Sequence, residues 1–124
     1  MNLVDSCGWL EYFADGANAD FFAPAIETIE QLIVPTICLF EVFKRVLQQR
    51  GENDALRAIG LMRQGRCIDL DDSLSLSSAR LSVELKLAMA DSIILTIARQ
   101  HSATLWTQDA HFKGLAGVNY ISKH

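Results

Sequence analysis

Short apolar runs alternate with longer stretches of helical periodicity along the whole chain, and this pattern points to a parallel α/β sheet. Asn2-Leu3-Val4 reads as the first strand. A helix follows from about Ser6, carries Trp9, Leu10 and Phe13 on one face, and stops near Gly16. A second helix is predicted roughly between Pro24 and Gln31, with Pro24 in its opening turn. Leu32-Ile33-Val34 is the second strand, closed by Pro35, and Thr36 is the predicted N-cap of the next helix. That helix shows Leu39, Phe40, Phe43, Val46 and Leu47 on an apolar face and ends at Gly51. Another helix spans about Asp54 to Met62, and Cys67-Ile68-Asp69-Leu70 fits a third strand. Ser73 or Ser75 starts a helix through Leu81 and Leu85. After a break near Leu87 comes a helix carrying Ile93, Ile94, Ile97 and Ala98. Ala103 to Trp106 is the fourth strand, and Val118 to Ile121 a fifth at the edge.

With 124 residues and no repeat, linker or low-complexity segment, the expectation is a single domain over 1–124. Half of the residues are apolar and 21% are charged, enough for a packed core without disulfides. Cys7, Cys38 and Cys67 are odd in number and widely spaced, so they read as small buried hydrophobes in a reducing compartment. Met1-Asn2-Leu3-Val4-Asp5 lacks a basic leader, and runs such as Ile93-Ile94-Leu95 are too short to cross a bilayer. The expected location is the cytoplasm. A net charge of −4 argues mildly against general nucleic-acid binding. It does not exclude a cleft where carboxylates hold cations and reverse the local field.

In a parallel α/β sheet, ligands bind beyond the carboxyl ends of the strands, where strand order reverses. Asp5 directly follows strand one and Asp109 follows strand four. Glu41 lies in the helix after strand two, and Asp91 opens the helix that carries Ile93. Four carboxylates from distant parts of the chain thus have a common edge at which to meet, and such oxygens suit a hard cation such as magnesium. Each acid also has a plainer role open to it. Asp5 and Asp91 are candidate N-caps, although Ile94 breaks the capping box after Asp91. Glu41 is a candidate solvated residue despite its apolar neighbours, and Asp109 a candidate turn residue.

Taken together, Leu3-Val4-Asp5-Ser6, Glu41 in a helix after Pro35-Thr36, Ala90-Asp91-Ser92, and Leu105-Trp106-Thr107-Gln108-Asp109 followed by Phe112 resemble PIN domains. The similarity is to the VapC toxins of toxin–antitoxin pairs and runs nearly the length of the chain. Thr107-x-Asp109-x-x-Phe112 is its most specific part. The resemblance implies a three-layer α/β/α fold with a central parallel sheet of four to five strands. It also implies endonucleolytic RNA cleavage dependent on Mg2+, with Mn2+ as substitute, a homodimer, and inhibition by a cognate VapB-type antitoxin. Transfer RNA is the favoured substrate on the same ground. The family's acids carry over to Asp5, Glu41, Asp91 and Asp109, its accompanying hydroxyl to Thr107, and Ser6 lines the site. Asp5, Asp91 and Asp109 are the expected metal ligands, with Glu41 acting through water.

Two departures stand out. Where some PIN domains carry a further acid after the fourth, this chain has Ala110, His111 and Phe112, so one firmly held ion is expected. Cys7 replaces a hydroxyl residue common in relatives, and no histidine is obviously placed to activate it as a nucleophile. His101, His111 and His124 lack zinc-site spacing, which leaves His111 as a surface loop residue or a phosphate contact. Lys44, Arg45 and Arg50 read equally as an RNA-backbone contact or a solvated helix face. The aromatic residues Trp9, Tyr12, Phe13, Phe40 and Phe43 read as core or dimer interface before a base-stacking platform. A receiver-like phosphoacceptor domain would want paired acids after the first strand, and only Asp5 is there. The remaining alternative is a catalytically inactive PIN-type module that binds RNA or protein.

Overall fold

A computed structural model describes residues 1–123, so His124 lies outside the described residues. Five strands, β1 (Asn2–Val4), β2 (Leu32–Pro35), β3 (Arg66–Ile68), β4 (Thr104–Thr107) and β5 (Val118–Tyr120), form one sheet in the order β3-β2-β1-β4-β5. Every pairing is parallel, with Leu3 opposite Ile33 on one side of β1 and opposite Leu105 on the other. Both faces of the three central strands are covered by helices. Leu3, Val4, Ile33, Val34 and Leu105 are accordingly all fully buried, and each strand reads as a continuous apolar run. The chain leaves β1 toward β2 on one side and returns through β4 on the other. The crevice between β1 and β4 is therefore the switch point of the sheet.

The six α-helices of the described residues are α1 (Ser6–Phe13), α2 (Ala19–Glu27), α3 (Thr36–Arg50), α4 (Glu52–Met62), α5 (Asp72–Leu85) and α6 (Met89–Gln100). α1 lies close against α2: a Cβ at Gly8 would come within 2.6 Å of the Phe22 ring, so only glycine allows this approach. Gly51, at φ +89°, separates α3 from α4. The left-handed backbone there is the reason the turn is so short.

Three local expectations are corrected. The second helix is α2, which begins at Ala19 rather than Pro24 and ends before a separate 3-10 turn at Ile29–Gln31. Pro24 sits inside it, and burial of Phe22, Ala25 and Ile26 against the sheet outweighs the proline's missing N–H. Pro35, not Thr36, occupies the N-cap position of α3. α5 is capped by Asp71, whose Oδ1 accepts from the Leu74 N–H at 2.8 Å, rather than by Ser73 or Ser75. Strand edges move by one or two residues. One shift matters, because β4 runs to Thr107 and so places that hydroxyl on the end of a buried strand.

Candidate active site

The site is built outward from Asp5, the residue at which β1 becomes α1. Its backbone N–H donates to the Trp106 carbonyl at 3.0 Å, which ties the strand end to β4. Its side chain serves as N-cap of α1, with Oδ1 accepting from the Ser6 N–H at 2.8 Å. Oδ2 accepts from the Thr107 hydroxyl at 2.8 Å and from the Cys7 thiol at 3.3 Å. The capping role and the site role that the sequence left as alternatives thus coexist in one carboxylate. Burial leaves it only 5% exposed and pushes its pKa up to about 6, with the Asp91 charge adding to the rise and the Thr107, Cys7 and Ser6 hydrogen bonds opposing it.

Thr107 is the hinge of the arrangement. Its Oγ1 donates to Asp5 and accepts from the Asp109 backbone N–H at 3.0 Å, so one hydroxyl fixes both acids. The loop beyond β4 is held from beneath by Asn18, whose Nδ2 donates to the Gln108 Oε1 at 2.8 Å and to the Ser122 carbonyl at 3.0 Å. Ser6 performs a similar service for Glu41, donating from Oγ to Oε1 at 2.7 Å across 35 residues of sequence. Glu41 is therefore half-buried and anchored rather than freely solvated.

Asp91 stands in the first turn of α6, whose N-cap position belongs to Ala88. Its pKa is raised by burial first, then by Asp109, with a smaller contribution from Glu41, while His111 opposes the rise. Mutual repulsion thus links Asp5 to Asp91, and Asp91 to Asp109 and Glu41. The four acids singled out in the sequence are thus near neighbours at the carboxyl edge of β1 and β4, close enough for their charges to act on one another. Among the described residues, no lysine or arginine pairs with any of them. Buried and half-buried carboxylates with no lysine or arginine beside them are a donor set suited to a divalent ion.

One feature of the site was missed in the sequence. The tightest group of potential ligands is Asp91, Asp109 and His111, whose donor atoms lie within 4.8 Å of one another, and Asp5 is not part of it. His111 enters because Asp109 caps a 3-10 turn over Ala110–Phe112, its Oδ1 accepting from the His111 N–H at 2.9 Å. The Asp109-x-His111 spacing was the available signal. Cys38 is fully buried, as expected, and its thiol is pushed up by burial and by Asp5 and Glu41, whereas Cys67 is exposed rather than buried. Cys7 is likewise held well out of its thiolate form, at about 12, chiefly by burial and then by Asp5, which removes it as a nucleophile at neutral pH.

The family model described as PIN domain matches residues 3–118. The chain belongs to the PIN domain family. Among solved structures, a toxin–antitoxin complex from Klebsiella pneumoniae is similar with a TM-score of 0.81 and 24% identity over 96% of each chain. VapC20 from Mycobacterium tuberculosis, described as a sarcin–ricin loop cleaving toxin, is similar with a TM-score of 0.78 and 15% identity, covering 94% of this chain and 95% of that one. A VapBC2 complex from Rickettsia felis bound to a promoter DNA fragment gives a TM-score of 0.74 and 14% identity, covering 98% and 97%. No curated protein sequence matches the chain. At these identities the structural neighbours establish the α/β/α PIN fold, and no helix among the described residues is long and apolar enough to cross a membrane.

Proposed function

We propose that this PIN domain is a metal-dependent endoribonuclease and the toxin of a VapBC-type toxin–antitoxin pair. The observation that carries the reading is the convergence of Asp5, Glu41, Asp91 and Asp109 on one cleft, with Thr107 bonded to the first and last acids. A divalent ion in this cleft, Mg2+ or Mn2+, would supply a Lewis acid for the scissile phosphate and an acidified water for attack on it. Asp91 and Asp109, both partly exposed, would hold the ion on the open side, and the buried Asp5 would hold it from within. Thr107 fixes the orientation of Asp5 and Asp109. Ser6 occupies one oxygen of Glu41 and leaves the other to accept a proton from the attacking water.

RNA would enter along an open cleft of about 430 Å3 between α1 and α3, lined by Ser6, Cys7, Phe40, Glu41, Lys44 and Arg45 among others. Lys44 and Arg45 offer the charge that phosphate needs next to an acidic centre. The antitoxin would occupy a second groove of about 350 Å3, lined by the apolar Leu10, Phe13, Val46 and Leu61 together with Arg50 and Arg57. Such a groove suits an amphipathic segment. Trp9 is 1% exposed and belongs to the core, one of the two roles expected of it, so it takes no part in this groove. For a homodimer, the apolar surface at hand is the stripe of Leu76 and Val83 on α5, 69% and 82% exposed, seven residues apart and so on one face. The working location is the cytoplasm, where transfer RNA is the first substrate to test and ribosomal RNA the second.

The test is cleavage of transfer RNA and of ribosomal RNA fragments by the purified chain, with Mg2+ or Mn2+ and with chelator. The wild type should cleave in a metal-dependent way, and Asp5→Asn should stay folded by circular dichroism and lose cleavage. A folded Asp5→Asn protein with undiminished activity would remove the mechanism. A wild type that binds RNA and cleaves none would favour an inactive binding module.

A further inference from the structure

We propose that His111 is a direct metal ligand, and that its imidazole nitrogen makes this site prefer a first-row transition ion such as manganese to magnesium. The proposal rests on the reading of the acidic cleft as a metal site.

Nδ1 of His111 lies 3.4 Å from Oδ2 of Asp91 and 3.3 Å from Oδ1 of Asp109. These carboxylates reach it from two elements far apart in sequence, the first turn of α6 and the turn after β4. Both distances exceed the roughly 2.7–2.9 Å of a charge-assisted hydrogen bond, so the ring is not locked onto either acid. They fall instead between the separations that two ligands of one small ion adopt. With ligands at about 2.0–2.1 Å, neighbours are about 3 Å apart and opposite ligands about 4 Å apart. The hydrogen bond from the His111 backbone N–H to the Asp109 Oδ1 turns the ring back over the acid that precedes it, so the imidazole lies against the two carboxylates although 73% of the side chain is exposed.

The nature of the donors then sets the preference. Magnesium is a hard ion that takes oxygen and keeps its waters, whereas imidazole nitrogen suits manganese less than later metals but better than it suits magnesium. An acid at the same position would complete an all-oxygen set. His111 converts that set to two carboxylates and one nitrogen, removes one negative charge, and so weakens the attraction for magnesium most.

Electron paramagnetic resonance of Mn2+ bound to the full chain tests this without using catalysis. Mn2+ should show a nitrogen coupling that changes on 15N-histidine labelling of the wild type, a readout that needs no variant. His111→Ala should lose the coupling and bind Mn2+ roughly tenfold or more weakly, while Mg2+ affinity, measured by competition, should fall by less than about threefold. His111→Asp should shift the preference back toward Mg2+, and His101→Ala should leave all three measurements unchanged. Bound Mn2+ without nitrogen coupling, or a His111→Ala protein that keeps its Mn2+ affinity, overturns the proposal while metal-dependent RNA cleavage would leave the nuclease reading intact. Coupling without RNA cleavage under any metal would do the reverse.

Discussion

The two halves of the acidic cleft differ in how their carboxylates are satisfied. On the β1 side, Asp5 is 5% exposed and both of its oxygens accept hydrogen bonds, from Ser6, Thr107 and Cys7. On the α6 side, Asp91 accepts no hydrogen bond shorter than its 3.4 Å contact to His111 and is open enough to meet solvent. The first half is part of the packed interior, and the second is only partly withdrawn from solvent. Desolvation is accordingly the largest influence on both acids, but it is opposed by a full set of hydrogen bonds only at Asp5.

The contrast can be broken first through pH. Asp5 has a folded pKa of about 6 against an ordinary value of 3.8, so between those values the folded state binds more protons than the unfolded chain. Stability of the metal-free protein should therefore be greatest below about pH 4 on this account and fall as pH rises through 6. The loss from this group should be on the order of 3 kcal/mol. Chemical denaturation at a series of pH values should show the slope in the wild type and in Asp91→Asn, and show most of it gone in Asp5→Asn. If Asp91→Asn removes the slope and Asp5→Asn keeps it, the roles of the two halves are reversed.

A smaller effect is expected at Thr107, which acts by positioning the acids. Thr107→Ala should reduce RNA cleavage by roughly 10–100-fold, with Thr107→Ser restoring most of it. Because the lost hydrogen bond favours ionised Asp5, the pH at which metal binding sets in should move upward in Thr107→Ala. An unmoved profile would reduce Thr107 to a packing residue. The smallest change belongs to Cys7→Ser, which exchanges a thiol for a hydroxyl able to make the same contacts to Asp5 and Thr107. Cleavage should stay within about threefold of wild type, since a thiol held at about 12 contributes no thiolate. A large loss in this variant would return Cys7 to the chemistry.

Much of this molecule was legible in its sequence. Buried parallel strands write themselves as continuous apolar runs, so β1, β2 and β4 could be read at Leu3-Val4, Ile33-Val34 and Leu105-Trp106. Asp5 and Asp109 could be placed because they directly follow such runs. The start of α2 could not, since Pro24 gives a strong local signal that the burial of Phe22 and Ile26 overrides. The pairing of Ser6 with Glu41, the double use of the Thr107 hydroxyl and the approach of His111 to Asp91 were decided by the tertiary structure alone. A sequence records which donors and acceptors a chain carries and the period at which they recur. Which of them meet at a distance of about 3 Å depends on the twist of the sheet and the packing of its elements, which bring together positions as far apart as 5 and 107, and no local pattern encodes that.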